Sequence, residues 1–347
     1  MDEKVTPKPA RATIKDVAKA AGVSPMTVSN VMNGRLQYMS PATKKRVERE
    51  IARLNYRRQA NARNLRVAQQ RSIGMVIVDE SPFFLADQFT CQVVAGLANV
   101  LNQADYTLTV QGMRGDQLAD SMIMRNFEVG GFCAMISGAP NDRREVIRRL
   151  SGLDQPVIIF QEALATPRSD FCVVRQDDKG GGRLLADHLL ARRAETYLVI
   201  VPLQGWPAIE NRVAGLSEGL LSARPSAEIT MIESMSESFA DVQAATADYL
   251  DHHPVPGAVV GANDPIAAAA MLHLLDRGLR VPEDVRVVGF NGFEAHRYLR
   301  PRLTTVISAP YEMGEQAGRA MLQRLATGAF ETPEYVLPVV FDPNSTT

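Results

Sequence analysis

The sequence predicts a small all-α helix-turn-helix unit at the amino end, followed by a larger two-lobed α/β core built on parallel sheets. Three observations carry that expectation. Residues 1–71 hold 16 lysines and arginines against 5 acids, a net +11, while the remainder carries −12; the formal net charge of −1 conceals a basic end on an acidic body. The basic end contains closely spaced helix starts with good capping residues. The acidic remainder alternates short apolar strands with helical segments.

The bulk properties narrow the function class. A chain of 347 residues favours two or three domains. With 46% hydrophobic and 22% charged residues, its composition is that of a folded globular protein. No apolar run reaches the ~18 residues that a membrane-spanning helix needs. The charged start from Met1 to Pro9 has no apolar core of the kind a secretory signal carries. Cys91, Cys133 and Cys172 are too dispersed for a CxxC metal site or a disulfide framework, which suits a reducing, cytoplasmic compartment.

Residues 1–12 are expected to be a disordered extension. Thr13 and Asp16 have capping-box spacing and open a short helix that buries Ile14, Val17, Ala18 and Ala21. Gly22 allows a sharp turn. Ser24 then caps, and Pro25 begins, a second helix with Val28, Val31 and Met32 on its apolar stripe. Ser40-Pro41 repeats that start for a third helix, whose Val47, Ile51 and Leu54 cover the first two. Lys44, Lys45, Arg46, Arg49 and Arg53 on this helix are within reach of phosphates. A generic three-helix bundle would need neither this capping nor this charge, so the segment 13–58 is expected to bind DNA.

The run TIKDVAKAAGVSPMTVSNVMN from Thr13 to Asn33 resembles the DNA-binding headpiece of the lac/galactose repressor family, and the resemblance extends over nearly the whole chain. It implies that the second helix lies in the major groove, with Pro25, Met26 and Asn30 at operator-dependent positions. Asn30 has the chemistry to read adenine and Met26 to touch a thymine methyl. Thr27 and Ser29 suit phosphate contacts that set register. Thr13, Ile14, Ser24, Asn33 and Tyr56 complete the expected contact set, although Asn33 is equally suited to cap the helix. The stretch 59–71 is similar to the family's hinge helix, with Asn61, Arg63, Leu65 and Arg66 matching its motif. The matching leucine wedges into a minor-groove base step, a contact that bends the duplex onto more protein. Arg58-Gln59 replaces the usual Pro-Asn, so the start of this helix is weakened and is expected to order on DNA.

For residues 72–347, apolar strands are expected at 73–78, 106–110, 132–137, 157–160, 171–174, 197–201, 229–232, 258–261, 285–290 and 303–307. Continuous apolar strands separated by helices indicate parallel sheets covered on both faces, with ligands at the carboxyl ends of the strands. The resemblance implies a periplasmic-binding-protein-like core, with lobe 1 formed by 72–172 and 308–333 and lobe 2 by 173–307 and 334–347.

The same resemblance implies an effector site. Ser81, Phe83 and Phe84 match an N-P-F-F element, with Ser for Asn. Arg212 matches the arginine of R-x-x-G. Phe239 matches an aromatic suited to stacking on a sugar face, Asn263 the first residue of an N-D pair, and Asn291 the first aspartate of G-F-D-D. An amide at 291 brings no charge. Asp264 and Asp177 are suited to helix starts, and Trp206 to cover or packing. A sugar, sugar acid or sugar phosphate is the expected effector.

No catalytic dyad, metal-ligand spacing, nucleotide cradle or cofactor motif is evident; His252-His253 lacks a third ligand and Gly180–Gly182 lacks a P-loop lysine. The leading expectation is a homodimeric repressor of palindromic operator DNA, controlled by a small molecule. Its rivals are a solute-binding protein without a DNA role and a ligand-turning enzyme with a DNA-targeting module.

Overall fold

The computed structural model describes residues 13–32, 39–54, 71–121, 129–153, 155–164 and 168–347. Two units separate, residues 1–68 and 69–347.

In the first unit, α1 (Ile14–Ala21) opens on a complete capping box. The Thr13 side chain accepts from the Asp16 N–H, and the Asp16 carboxylate accepts from the Thr13 N–H at 2.7 Å. Gly22 closes the helix in the left-handed conformation at φ 62°, which a side chain would disfavour. Ser24 then accepts from the Thr27 N–H at 3.1 Å to start α2 (Pro25–Met32), and Ser40 does the same for Thr43 at the start of α3 (Pro41–Arg53). Val17, Ala18, Ala21, Val28 and Val47 form the buried centre, with Ile14, Val31, Met32, Ile51 and Leu54 packed round it. Every apolar position expected to face inward does so.

The second unit contains two parallel sheets. The first runs in the order β11-β5-β4-β3-β1-β2 and comprises β1 (Ser72–Val78), β2 (Thr107–Met113), β3 (Gly131–Ile136), β4 (Val157–Phe160), β5 (Phe171–Gln176) and β11 (Glu334–Leu337). The second is β7-β6-β8-β9, from β6 (Thr196–Pro202), β7 (Glu228–Ser234), β8 (Ala258–Gly261) and β9 (Arg286–Val288). A short antiparallel pair, β10 (Thr305–Ile307) and β12 (Val340–Asp342), lies where the chain crosses between lobes. Helices cover both faces, as the continuous apolar strands require.

The lobe boundaries differ from the expected ones by a few residues. β5 continues to Gln176 within the first sheet, and β11 pairs with it in register from Glu334↔Val173 to Leu337↔Gln176. Residues 173–176 and 334–337 therefore belong to lobe 1. β11 escapes a search for apolar runs because it is an edge strand whose residues alternate between exposed and half-buried.

Each lobe has one pair of helices joined backbone to backbone. In lobe 1, α4 (Gln88–Gln103) meets α10 (Pro310–Thr327) at Gly96 and Gly314. A Cβ on Gly96 would lie 2.0 Å from the Tyr311 carbonyl oxygen, and one on Gly314 2.1 Å from that of Val93. In lobe 2, α6 (Asp178–Ala191) and α7 (Pro207–Ala223) repeat the arrangement: a Cβ on Gly182 would lie 2.1 Å from the Arg212 carbonyl oxygen, and one on Gly215 2.0 Å from that of Lys179. Of the triple-glycine run, Gly182 provides this close helix packing, while Gly181 faces the Phe290 ring and Gly180 the Asp177 cap.

Candidate functional site

The first unit presents α2 outward. Ser24, Pro25 and Met26 are exposed, Met26 at 68%, and Thr27, Ser29 and Asn30 are half-buried along the same helix. The hydroxyls of Thr13 and Ser24 are engaged in their caps, and Ile14 is half-buried against the core. Ile14 thus contributes packing as well as any surface it offers. On α3, Lys44 pairs with Glu48 at 3.6 Å, while Arg49 and Arg53 both reach Glu50. Lys45 and Arg46 are exposed and make no ion pair among the described residues, so on this helix they are the cations open to an external anion. Asn33, Tyr56, Asn61, Arg63, Leu65 and Arg66 lie outside the described residues.

In the second unit a cavity of about 650 Å³ opens between the lobes. Its walls come from the carboxyl ends of parallel strands: Asp79 after β1, Gln161 after β4, Pro202 ending β6, Met235 after β7, Asn263 after β8 and Asn291 after β9. That is where doubly wound sheets leave a crevice. Ser81, Phe83, Phe84, Arg212, Asn263 and Asn291, six of the seven positions selected from the sequence, line it, and so does Trp206.

Phe239 does not line it. It begins α8 (Phe239–His252) directly after the Ser238 cap and is 51% exposed, whereas Ser236, Glu237 and Ser238 face the cavity. The helix start rotates the aromatic ring away and leaves the preceding polar turn at the wall.

Arg212 sits at the floor, 6% exposed. Its Nε–H donates to Asp178 Oδ1 at 2.8 Å, one terminal nitrogen to the Ala262 carbonyl at 2.9 Å and the other to Asn291 Oδ1 at 3.0 Å. The guanidinium lies 3.9 Å above the centre of the Phe290 ring. Arg212 is therefore both a cavity residue and one half of a buried ion pair. A hydrogen-bonded ring extends from it: Ser308 donates to Asn291 Oδ1 at 3.1 Å, and the Gln176 amide donates to Ser308 at 3.1 Å and back to Asp178 at 2.8 Å. Gln176 ends lobe 1's β5, Asp178 begins lobe 2's α6 and Ser308 follows β10, so the ring spans two of the crossings between lobes. Burial pushes the Asp178 carboxyl up, while Arg212 and the Gln176 amide pull against it.

Asn263, expected at the ligand, lines the cavity and also takes the capping role expected of Asp264. Asn263 caps α9 (Asp264–Asp276) by accepting from the Ile266 N–H at 3.0 Å, and its amide also reaches Glu237. Asp264 is buried, accepting from the Gly292 N–H at 2.7 Å and the Thr305 hydroxyl at 2.6 Å. Burial raises its pKa to about 6 against those hydrogen bonds. Asn291 holds φ at 109°, and Asp264 anchors the next residue of that turn. Asp177 caps α6 through the Gly180 N–H at 2.9 Å.

Motif matching did not single out Asp79, Asp87, Gln161, Gln204, Glu237 or Asp178. The first five line the cavity and the last holds Arg212. At the rim, Arg143 of α5 (Pro140–Ser151) crosses to lobe 2 with a two-pronged bond to Glu210 at 2.7 and 2.8 Å. It also binds Glu162 at 2.8 Å and the Gly138 carbonyl at 2.6 Å. Beside it the Gly138 N–H donates to the Gly205 carbonyl at 2.8 Å, and Gln204 donates to Asp79 at 2.7 Å and Ser137 at 2.5 Å.

Comparison with known proteins agrees with this architecture. Residues 13–59 match the model of bacterial regulatory proteins of the lacI family, and residues 186–346 that of the periplasmic binding protein-like domain. The chain is similar to the ribose operon repressor of Bacillus subtilis (strain 168), with 30% identity over 93% of this chain and 96% of the relative. It is also similar to the HTH-type transcriptional repressor PurR of Vibrio atlanticus (strain LGP32), with 28% identity over 90% and 92%. Among solved structures, the lac repressor dimer bound to operator and the anti-inducer ONPF superimposes with a TM-score of 0.81 at 26% identity, covering 97% of this chain and 99% of that one. A helix-turn-helix unit joined to a two-lobed core with this cavity, and a full-length relative at this identity, lead to one conclusion: the chain belongs to the lacI family of bacterial regulatory proteins, DNA-binding transcription regulators.

Proposed function

We propose that the protein is a homodimeric, cytoplasmic repressor that binds a palindromic operator and whose DNA affinity is set by a sugar or sugar derivative in the interlobe cavity. The observation that carries this reading is the placement of Ser81, Phe84, Arg212, Asn263 and Asn291, from four separate chain segments, around one cavity at the carboxyl ends of both sheets. In this reading residues 13–58 dock on the major groove, with Pro25, Met26 and Asn30 toward base edges and Thr27, Ser29, Lys45 and Arg46 toward phosphates. Residues 59–71 act as the hinge, with Leu65 as the minor-groove wedge supported by Asn61, Arg63 and Arg66. The solved cellobiose complex of the transcriptional regulator CelR, 25% identical with a TM-score of 0.71, supports a sugar in the cavity.

Ligand bias follows from linkage: a molecule that binds one arrangement of the lobes more tightly shifts the population that holds the two headpieces for DNA. The test is selection of bound duplexes from a random pool by the full-length protein, followed by fluorescence anisotropy with and without candidate sugars. Enrichment of an inverted repeat whose affinity falls steeply with salt is expected. No enrichment over random competitor would sink the reading. Leu65→Ala should weaken operator binding by about tenfold or more while leaving ligand-induced thermal shifts in place.

A further inference from the structure

The charges facing the cavity do not balance. Asp79, Asp87 and Glu237 line it from three segments: the end of β1, the cap of α4 and the turn before α8. Arg212 is the one basic side chain among the lining residues, and its charge is already matched by Asp178 at 2.8 Å. The donors that fix the carboxylates are largely neutral. Asp79 accepts from the Ser81 N–H at 2.8 Å and the Gln204 amide at 2.7 Å. Asp87 accepts from the Phe89 and Thr90 N–H groups and the Thr90 hydroxyl, at 3.2, 2.8 and 2.6 Å. Glu237 takes the Asn263 amide. Among the described residues, three acids therefore share one cavity with no uncommitted cation to neutralise them.

A second, independent observation concerns Gln161, which is 5% exposed. Its Oε1 accepts from the Gln176 N–H at 3.0 Å, and its Nε2 donor has no partner among the described residues. The backbone there is held at φ 63°, a left-handed conformation uncommon outside glycine. A buried donor left unpaired is unfavourable, and its place in the cavity wall calls for an acceptor oxygen.

We propose that the cavity takes an amino-substituted polyol, such as an amino sugar, with its ammonium group among Asp79, Asp87 and Glu237 and one oxygen accepting from Gln161, and that it rejects sugar acids and sugar phosphates. The inference rests on the cavity being the effector site. The hydroxyls of a neutral sugar would satisfy hydrogen bonds but leave the like charges uncompensated, whereas an ammonium cancels one. The aromatic residues Phe84, Trp206 and Phe293 in the lining also favour a cation and the C–H face of a sugar over an anion. The crowding already shows at Glu237, whose carboxyl is held up at about 7 by burial first and the Asp87 carboxylate next.

The experiment uses the full-length protein at pH 7.5 and matched triples on one carbon skeleton: glucose, glucosamine and gluconate; galactose, galactosamine and galactonate; mannose, mannosamine and mannonate. Thermal shift screens the set, and calorimetry follows on those that bind. In at least one triple the amine should bind about tenfold or more tighter than the neutral sugar, the acid should give no shift, and Glu237→Gln should narrow the amine-to-neutral ratio. A neutral or acidic member that binds as well as its amine, or the failure of every amine, overturns the proposal. Ala208→Trp, which fills the cavity, separates the two possible failures. A neutral sugar that binds wild type but not this variant keeps the effector site and sinks the amine. A compound indifferent to the variant sinks the effector site itself.

Discussion

Two buried arginines stand at the mouth and the floor of the cleft and face different demands. Arg143 at the rim and Arg212 at the floor are 4% and 6% exposed. Their partners are not equivalent: Glu210 at the rim is 46% exposed, whereas Asp178 at the floor is 3% exposed. Water can replace the rim bond as it opens, but cannot reach the floor bond without disassembling the ring from Gln176 to Ser308. Glu210 and Arg212 lie two residues apart on α7, so one helix carries both an exposed bond between lobes and a buried one within lobe 2. The difference places the solvent-exchangeable link between the lobes at the mouth of the cleft and the water-excluded ion pair at its base.

The largest effect should come from breaking the floor. Arg212→Ala leaves Asp178 buried without its cation and should cost about 3–5 kcal/mol in urea unfolding. A loss within the range of ordinary surface changes would show that the floor is hydrated after all. Breaking the rim should cost less, about 1–3 kcal/mol for Arg143→Ala, because the abandoned Glu162 and Glu210 can turn to water. Its sharper readout is shape: small-angle scattering of residues 69–347 should report a larger radius of gyration than wild type. An unchanged radius would mean that Arg143 does not hold the lobes together.

The smallest effect is a pH dependence in the wall between rim and floor. Glu237 is pushed above the ordinary carboxylate range to about 7 by burial and by Asp87. Its ionisation therefore costs the folded state nothing below the ordinary value, costs progressively more from there to about pH 7, and is fully unfavourable above that. Glu237→Gln removes the penalty, so the melting temperature of the variant relative to wild type should rise between pH 5 and pH 8. A flat difference would show that the carboxylate is well solvated.

Legibility in the sequence followed the range of the interactions. The headpiece could be read almost completely because its caps, turn and core positions are local: Thr13 with Asp16, Ser24 with Pro25, Gly22 between them. In the core, the apolar strands announced both sheets, but the half-exposed edge strand β11 carried no such signal. Arg212 and Asn291 stood out because neighbours in sequence frame them. Asp178, Gln176 and Ser308 did not, since only the folded crossings bring them together. Gln161 was hidden because its importance lies in a left-handed backbone and an unpaired amide, neither of which a residue type declares. Phe239 was misplaced because the helix start determines its direction, and a motif records only its chemical kind.

The paired glycines have a bearing on recognition. Gly182 lies one turn beyond Asp178 and Gly215 almost one turn beyond Arg212, and each touches the carbonyl of the opposite helix. With no side chains between them, the two helices have nothing compressible to absorb a change in separation. The carboxylate and guanidinium they carry are thereby set at a fixed gauge, as jaws on a common mount, before any guest arrives. A molecule entering the cleft meets a receptor whose deepest contact has already lost its freedom in folding, so selectivity at that point rests on shape matching and little on adjustment.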